Sequence, residues 1–416
     1  MTLLFSTPLY LFLFSILYFQ VFLLITFFEN KARLEAHLAT PLPSGNDEDL
    51  PPVTIIVPCY NEQETLRGTI DSLLALTYPK EKLSLVIVDD GSTDQTLPIA
   101  QACQAAHPTV QVYSQSNQGK YAALNHGLQY AHTPLIGCMD ADSFVDPNAL
   151  REIVRYFGNP SVMAVAPAIG VHKPATLFQH IQRAEYLMGM YLRKMQGLLN
   201  GIHVMPGPFS IFKKEVFDAL GGYREGHGTE DLEIALRMRL HHYRIENAHL
   251  AKVYTMAPPT FVKLYRQRVR WTQGFLQNAM DYRTIFLNPA YRHLGLFVLP
   301  AAVVSVFGSL YLTVYSAIRL FALASDKIVE LHTIGFVFRA PEFTWFYLNT
   351  TVIALVIYTL IGCSILMVLL GKHLTKDKTL TLGDLFSFLL LYGFFAPFWI
   401  AKAVFNTCTR TRAAWK

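Results

Sequence analysis

The stretch Leu135-Ile136-Gly137-Cys138-Met139-Asp140-Ala141-Asp142-Ser143 decides the reading of this chain: an apolar run ends in two carboxylates one residue apart. Successive side chains of a strand point to opposite faces, so Asp140 and Asp142 share a side where the strand is extended and diverge where it breaks. Carboxylate oxygens are hard ligands suited to Mg²⁺ or Mn²⁺, and such an ion is held by one or two protein carboxylates plus the phosphates of a substrate. Two acids at the end of an apolar strand therefore point to a nucleotide diphosphate. Taken alone, an acidic pair of this kind is more often a solvated loop than a ligand set, so its surroundings decide.

Upstream, Val53-Thr54-Ile55-Ile56-Val57 is a β-branched run with the signature of a strand buried on both faces. Pro58-Cys59-Tyr60-Asn61-Glu62 breaks it, and a helical pattern follows through Leu66, Ile70, Leu73 and Leu74. A second strand, Leu85 to Val88, ends in Asp89-Asp90-Gly91-Ser92-Thr93-Asp94, and Val110 to Tyr113 predicts a third. Strands alternating with helices imply a mostly parallel α/β sheet with its ligand outside the carboxyl ends of the strands. The polar clusters at 58–62, 89–94 and 140–142 all sit at such ends. Gln118-Gly119-Lys120 opens the next helix, Tyr121 to Ala131, and sets an ammonium and free backbone N–H groups at a helix N-terminus, which suits a phosphate. It is not a Walker A loop, because no glycine stands five residues before Gly119.

Downstream, Pro147 starts a helix, Val162 to Ala166 predicts a strand and Ala175 to Leu199 a long helix of mixed faces. Pro206 to Phe212 reads as a tight loop into a strand. Gly221-Gly222 and His227-Gly228 lead to Thr229-Glu230-Asp231 at the head of a helix. Acids in a first turn also complement the helix dipole, so Glu230 and Asp231 read as capping or as catalytic. From Phe261 to Tyr282, Phe261, Leu264, Tyr265, Val269, Trp271 and Phe275 oppose Lys263, Arg266, Gln267, Arg268 and Arg270. This predicts an interfacial helix with its aromatic side to lipid and its basic side to headgroups, which alone would account for Gln267, Arg270 and Trp271.

Of the 416 residues, 52% are hydrophobic, and the excess is concentrated. Thr2 to Phe28, Leu294 to Ile318 and Phe346 to Gly371 carry no charge, and Leu385 to Ala401 is a fourth apolar run. The first three reach the ~20 residues needed to cross a bilayer core, which makes a multi-pass membrane protein. The first has neither a positive n-region nor a small-residue cleavage site, so it reads as a retained anchor. Lys31 and Arg33 after the first run, and Lys372, Lys376 and Lys378 after the third, place the large domain in the cytoplasm, at the plasma membrane. Four simple crossings would set Arg410, Arg412 and Lys416 outside, against the same bias. Either the last segment is re-entrant or interfacial, helped by Pro397, or the tail breaks the rule.

The net charge of +5 is juxtamembrane and suits anionic lipid; no basic stripe with interleaved aromatics suggests nucleic acid. Five scattered cysteines lack metal-ligand spacing and read as free thiols. The predicted organisation is an anchor over 1–28, a linker over 29–52, an α/β domain over 53–256, interfacial helices over 257–293, about three transmembrane segments over 294–406 and a basic tail over 407–416.

In this order and rough spacing, Val53 to Glu62, Asp89 to Asp94, Asp140-Ala141-Asp142, Thr229-Glu230-Asp231 and Gln267-Arg268-Val269-Arg270-Trp271 resemble the motifs of processive family-2 glycosyltransferases. The chain is similar over about 50–285 to the branch holding poly-N-acetylglucosamine, cellulose, hyaluronan and chitooligosaccharide synthases. The resemblance implies a GT-A nucleotide-sugar domain inserted between transmembrane helices and an inverting transfer from a UDP-sugar, with UDP-N-acetylglucosamine the best match. It implies that Asp89 or Asp90 contacts the uracil or ribose, Lys120 the phosphates, Asp140 the nucleotide and Asp142 the metal, Mg²⁺ or Mn²⁺. Asp231, beside Glu230, would be the general base, and Gln267, Arg270 and Trp271 would line the donor phosphates and the acceptor sugar. Expected partners are the donor, a polysaccharide or lipid-linked acceptor, membrane lipids and an accessory membrane subunit. One N-terminal span, where some relatives have two, departs from the pattern; the tail Arg412 to Trp415 resembles poly-N-acetylglucosamine synthases. The competing readings are a non-processive transferase that glycosylates a lipid, and a silent nucleotide-sugar-binding membrane component. No inverted repeat points to a transporter.

Overall fold

The computed structural model describes residues 2–40, 47–335 and 349–411. Its strands are β1 (Val53–Cys59), β2 (Leu83–Asp89), β3 (Val110–Ser114), β4 (Leu135–Cys138), β5 (Ser143–Val145), β6 (Val162–Val171), β7 (Ser210–Lys213) and β8 (Arg244–Thr255). Its helices are α1 (Thr2–Ala39), α2 (Leu66–Leu74), α3 (Thr96–Ala106), α4 (Lys120–Leu128), α5 (Ala149–Val154), α6 (Leu177–Leu198), α7 (Lys214–Leu220), α8 (Glu230–Leu240), α9 (Phe261–Asp281), α10 (Leu299–Ile334), α11 (Val352–Leu374), α12 (Leu382–Ser387) and α13 (Gly393–Thr409).

The strands form one sheet in the order β3-β2-β1-β4-β7-β6-β8-β5. The β3-β2-β1-β4 half is parallel, as βαβ units require. β7 runs antiparallel between β4 and β6, β6 and β8 are parallel, and β5 pairs antiparallel with β8. Every residue of β1 is buried. Its alternation feeds two cores: Val53, Ile55 and Val57 pack towards Leu66, Ile70 and Leu73 of α2, and Ile56 towards Ala123 and Leu124 of α4 and Ile234 of α8.

The two longest stretches missing from the strand prediction are β8 and the second half of β6. β8 carries Arg244, Glu246, His249 and Lys252 among small and apolar residues, so it shows neither a clean alternation nor an apolar run.

Four helices among the described residues are long and apolar enough to cross a membrane: Thr7–Ala39, Leu294–Ile334, Val352–Leu374 and Leu382–Thr409. α1 continues past Phe28, so the predicted linker is helical as far as Ala39. Lys31, Ala32, Arg33, Leu34 and Glu35 favour helix, and Leu34 and Leu38 are buried against the same cluster as Leu23 and Phe27. The centre of the linker, 41–46, lies outside the described residues, as do Phe346 and the tail motif Arg412 to Trp415. The helix begun by Leu294 runs on to Ile334, beyond the predicted Ile318. The last apolar run does not turn back: it is helical from Leu382 to Thr409 through a π-helical turn at Phe388–Tyr392, with Pro397 inside α13.

α9 overturns the lipid-facing expectation. Its Leu264 and Val269 are buried with Ala396, Trp399 and Ala403 of α13, so another helix covers the apolar side. Arg268 is buried and paired with Glu185, not directed to headgroups.

α6 is the seat on which the membrane helices rest. Tyr191 and Met195 pack with Leu23 and Phe27 of α1 and Met367 of α11, and the Tyr191 hydroxyl donates to the Leu23 carbonyl at 2.8 Å. At its other end, the buried Asp384 carboxylate accepts from His180 Nδ1 at 2.6 Å and from Arg183 Nη1 at 3.0 Å, and it closes a capping box with Thr381. Removing one partner of a buried charge pair costs about 3–5 kcal/mol. Asp384→Ala should therefore lower stability by about 3 kcal/mol, read as a lower thermal midpoint in detergent, with Lys327→Ala on exposed α10 as the unaffected control.

Candidate active site

A cavity of about 1220 Å³ opens at the carboxyl ends of β1, β2 and β4. Its walls hold Glu62 after β1, Asp90 after β2, Lys120 at the start of α4, Asp140 and Asp142 after β4, Glu230 and Asp231 at the start of α8, and Gln267, Arg270 and Trp271 of α9. This is where ligands bind in open α/β sheets, and the volume exceeds the ~300–1,000 Å³ of a typical single-ligand pocket.

Lys120 organises the charges. Its Nζ lies 2.6 Å from Asp140 Oδ1 and 3.0 Å from Glu230 Oε1, so one ammonium ties the strand end to the head of α8. Burial opposes its charge, yet Asp140, Glu230 and Asp231 hold its pKa well above the usual range. Glu230 is kept below the carboxylate range by Lys120 against the effect of burial. Gly207, in the Pro206-Gly207-Pro208 loop before β7, leaves the room this arrangement needs: a Cβ there would stand 2.7 Å from Lys120 Nζ and 2.8 Å from both Asp140 oxygens.

Asp231 has a different environment. Its Oδ1 accepts from the Leu232 amide at 2.8 Å, and burial together with Glu230 pushes its carboxyl up to about 6. Asp142 is pushed up to about 7 by burial, with Asp140 and Glu62 adding repulsion. Its Oδ1 accepts from Ser143 Oγ at 3.0 Å and Thr255 Oγ1 at 3.4 Å. Among the described residues no three His, Cys, Asp or Glu side chains form a ligand set. A cation here would draw one or two carboxylates from this cluster and its remaining ligands from phosphate oxygens. The residues fit such an ion, because the mutual repulsion of Asp142, Asp140 and Glu62 is what a positive charge relieves.

The aspartates after β2 have other tasks. Asp90 lines the cavity, but its Oδ2 accepts from the Gly119 amide at 2.8 Å and its Oδ1 from the Gln118 amide at 3.0 Å, which holds the loop that presents Lys120. Asp89 is buried off the cavity, where its Oδ2 accepts from the Ser92 amide and Ser114 Oγ, each at 3.3 Å. Asp89 thus stands off the cavity, whereas Asp90 lines it and also braces the loop that presents Lys120.

Sequence reasoning missed the wall supplied by α6. Glu185, Tyr186, Met190, Arg193 and Gln196 line the cavity, spaced as one face of a helix. Arg193 makes no hydrogen bond or ion pair with any described residue, and burial holds its guanidinium down at about 10, with the Asp231 carboxylate opposing that shift. The signal was in the sequence: polar residues recur at helical spacing among the apolar ones of α6.

Residues 54–221 match the family model "Glycosyl transferase family 2". The chain is 33% identical over 235 residues to poly-beta-1,6-N-acetyl-D-glucosamine synthase of Staphylococcus aureus strain COL, covering 56% of each chain. It is 32% identical over 225 residues to the Staphylococcus epidermidis enzyme of the same description, covering 53% of this chain and 54% of that one. The chain therefore spans little more than half the length of the curated relatives it matches. Among solved structures it is similar to a mannosyltransferase from Pyrobaculum calidifontis in complex with GDP-Man and Mn²⁺, with a TM-score of 0.58 and 19% identity, over 95% of this chain and 99% of that one. Sheet order, cavity position and these likenesses agree, and the chain contains a glycosyl transferase family 2 domain of GT-A fold.

Proposed function

We propose that this protein transfers N-acetylglucosamine from UDP-N-acetylglucosamine to a growing β-linked polysaccharide at the membrane, with inversion at the anomeric carbon, and that its apolar helices guide the product outward. The domain would face the cytoplasm, where the donor is made. The observation that supports this reading is the sharing of one cavity by Asp231, the Lys120–Asp140 pair, Asp142 and an aromatic platform, Trp271. The likeness to poly-beta-1,6-N-acetyl-D-glucosamine synthases supports the choice of sugar.

In the proposed reaction the acceptor hydroxyl oxygen attacks the anomeric carbon, its proton passes to Asp231, and the bond to the UDP phosphate oxygen breaks with its electron pair. A base with a pKa of about 6 is ionised at neutral pH yet basic enough to take a proton in the transition state. Lys120 and Arg270 would donate to the phosphates, Gln267 would orient them, and Trp271 would offer a flat face to the acceptor ring. Asp142 and Asp140 would hold Mg²⁺ or Mn²⁺, which when bound supplies positive charge beside the leaving diphosphate. Glu230 keeps Lys120 in place.

The deciding experiment supplies detergent-solubilised protein with UDP-N-acetylglucosamine, UDP-glucose or UDP-glucuronate, with Mg²⁺, Mn²⁺ or EDTA, and follows UDP release and product size. Cation-dependent release from UDP-N-acetylglucosamine with a long product is expected. A short product that extracts into organic solvent would replace this reading with lipid glycosylation, and UDP binding without release would indicate a silent site.

Asp231→Asn should reduce turnover at least ~10²-fold while UDP still binds, the scale of a lost general base; near wild-type turnover would remove it from that role. The acid limb of kcat/KM should lie near pH 6, rising with pH as Asp231 ionises. Because Glu230 raises that carboxyl, Glu230→Gln should move the limb to lower pH; an unmoved limb would separate it from Asp231. Gly207→Ala, which forces Lys120 and Asp140 apart, should weaken UDP binding about tenfold by calorimetry with little change in thermal midpoint.

A further inference from the structure

Arg268 stands inside the Gln267–Trp271 segment yet is only 6% exposed. Its guanidinium carbon lies 4.4 Å from the centroid of the Trp271 ring. Its Nη2 donates to Glu185 Oε2 at 2.8 Å, and Tyr186 adds a side-chain hydrogen bond. The second Glu185 oxygen, Oε1, accepts from the Tyr392 hydroxyl at 3.1 Å. Tyr392 closes the π-helical turn Phe388–Tyr392 of the last membrane-crossing helix, the kind of local insertion that recurs at functional sites. Three separate elements thus meet under one indole: α6 gives the carboxylate, α9 the cation, and the helix leading into α13 the hydroxyl.

α9 is also fixed at its far end. Gln273 Nε2 donates to the Thr411 carbonyl at 2.6 Å, and Asn406 Nδ2 donates to Gln273 Oε1 at 3.2 Å, both beyond or within α13. On its other side Gly274 lies so close to the turn before α8 that a Cβ would stand 2.5 Å from Thr229 Oγ1, and Asn278 Nδ2 donates to the Gly226 carbonyl at 2.8 Å. α9 therefore spans from the last membrane helix to the residue preceding Glu230 and Asp231.

We infer that Glu185 and Tyr392 are positioning residues: they hold Arg268 against one face of Trp271 and so fix the platform on which the acceptor sugar lies, which places the acceptor under the control of the last membrane helix. This rests on the proposed contact of Trp271 with the acceptor. A buried, hydrogen-bonded cation keeps a single position over the ring, and the ring in turn keeps a single tilt in the cavity. An uncharged or untethered partner would leave the indole free to rotate out of register with Asp231, at the expense of acceptor binding and not of donor binding.

The test uses the full chain in detergent with UDP-N-acetylglucosamine as donor and a short β-linked N-acetylglucosamine oligomer as acceptor. Tyr392→Phe and Glu185→Gln should each raise the acceptor KM about fivefold and shorten the product, with the UDP dissociation constant unchanged. The exchange Glu185→Arg with Arg268→Glu should restore the thermal midpoint lost in Glu185→Gln but leave the acceptor KM raised, because it removes the cation from Trp271. Recovery of the acceptor KM together with the midpoint would reduce Glu185 to a structural tie and overturn the inference. So would an unchanged acceptor KM in Tyr392→Phe and Glu185→Gln when Trp271→Ala raises it. If Trp271→Ala itself leaves the acceptor KM unchanged while UDP is still released, the proposed role of Trp271 is what fails.

Discussion

One helix has to satisfy two environments, and the placement of everything else follows from that. α6 starts in a capping box between Thr176 and Gln179, and the Gln179 amide also donates to the Ala257 carbonyl at 2.9 Å, just before α9 begins. From there one side of α6 receives α1 and α11 through Tyr191 and Met195, while another presents Glu185, Tyr186, Arg193 and Gln196 to the cavity. The apolar side makes the contact with the membrane helices by burial, and the polar side remains stable because Arg268 and Tyr392 compensate Glu185. The catalytic domain and its membrane helices share a packed element, α6.

The charge pattern of the cavity is the second constraint. Carboxylates that include Glu62, Asp140, Asp142, Glu230 and Asp231 line a space whose walls also hold Lys120, Arg193, Arg268 and Arg270. Lys120 pairs with Asp140 and Glu230, whereas Asp142 and Asp231 have raised pKa values; burial also raises Glu185, against the pull of Arg268. In the neighbouring acids Glu230 and Asp231, burial acts on both carboxyls, but Lys120 holds Glu230 low while Asp231 is raised. That division of roles comes from which carboxylate reaches the ammonium, not from residue type.

Much of this was legible beforehand for a definite reason. A parallel sheet buried on both faces writes itself as nearly continuous apolar runs, and β1, β2 and β4 do so at Val53 to Val57, Leu85 to Val88 and Leu135 to Cys138. The polar clusters that follow them fall at the strand ends, which is how Asp140 and Asp142 stood out by position and residue type, whereas Glu230 and Asp231 read equally as helix caps and were singled out by the resemblance; all four line one cavity with Lys120. Three things were not legible. β8 buries Asn247 and His249 within the fold and so lacks a hydrophobic pattern. α9 looks like a surface helix because its apolar stripe is matched by α13, a partner more than a hundred residues away, and no local pattern distinguishes a helix from lipid as the cover. Asp89 and Asp90 share a residue type and are neighbours, yet Asp90 lines the cavity and accepts from the Gln118 and Gly119 amides, whereas Asp89 is buried off it, a difference that no local pattern shows.

The shared helix also limits how such a chain can diverge. An α-helix turns by about 100° per residue, so inserting or deleting a single residue within α6 would rotate everything beyond it by that angle. Tyr191 would leave the Leu23 carbonyl at the same moment that Arg193 left the cavity. Loops between the strands of the domain can lengthen freely, whereas the register of α6 can change only by near-whole turns, so its length is the coordinate along which chemistry and membrane seating are inherited together.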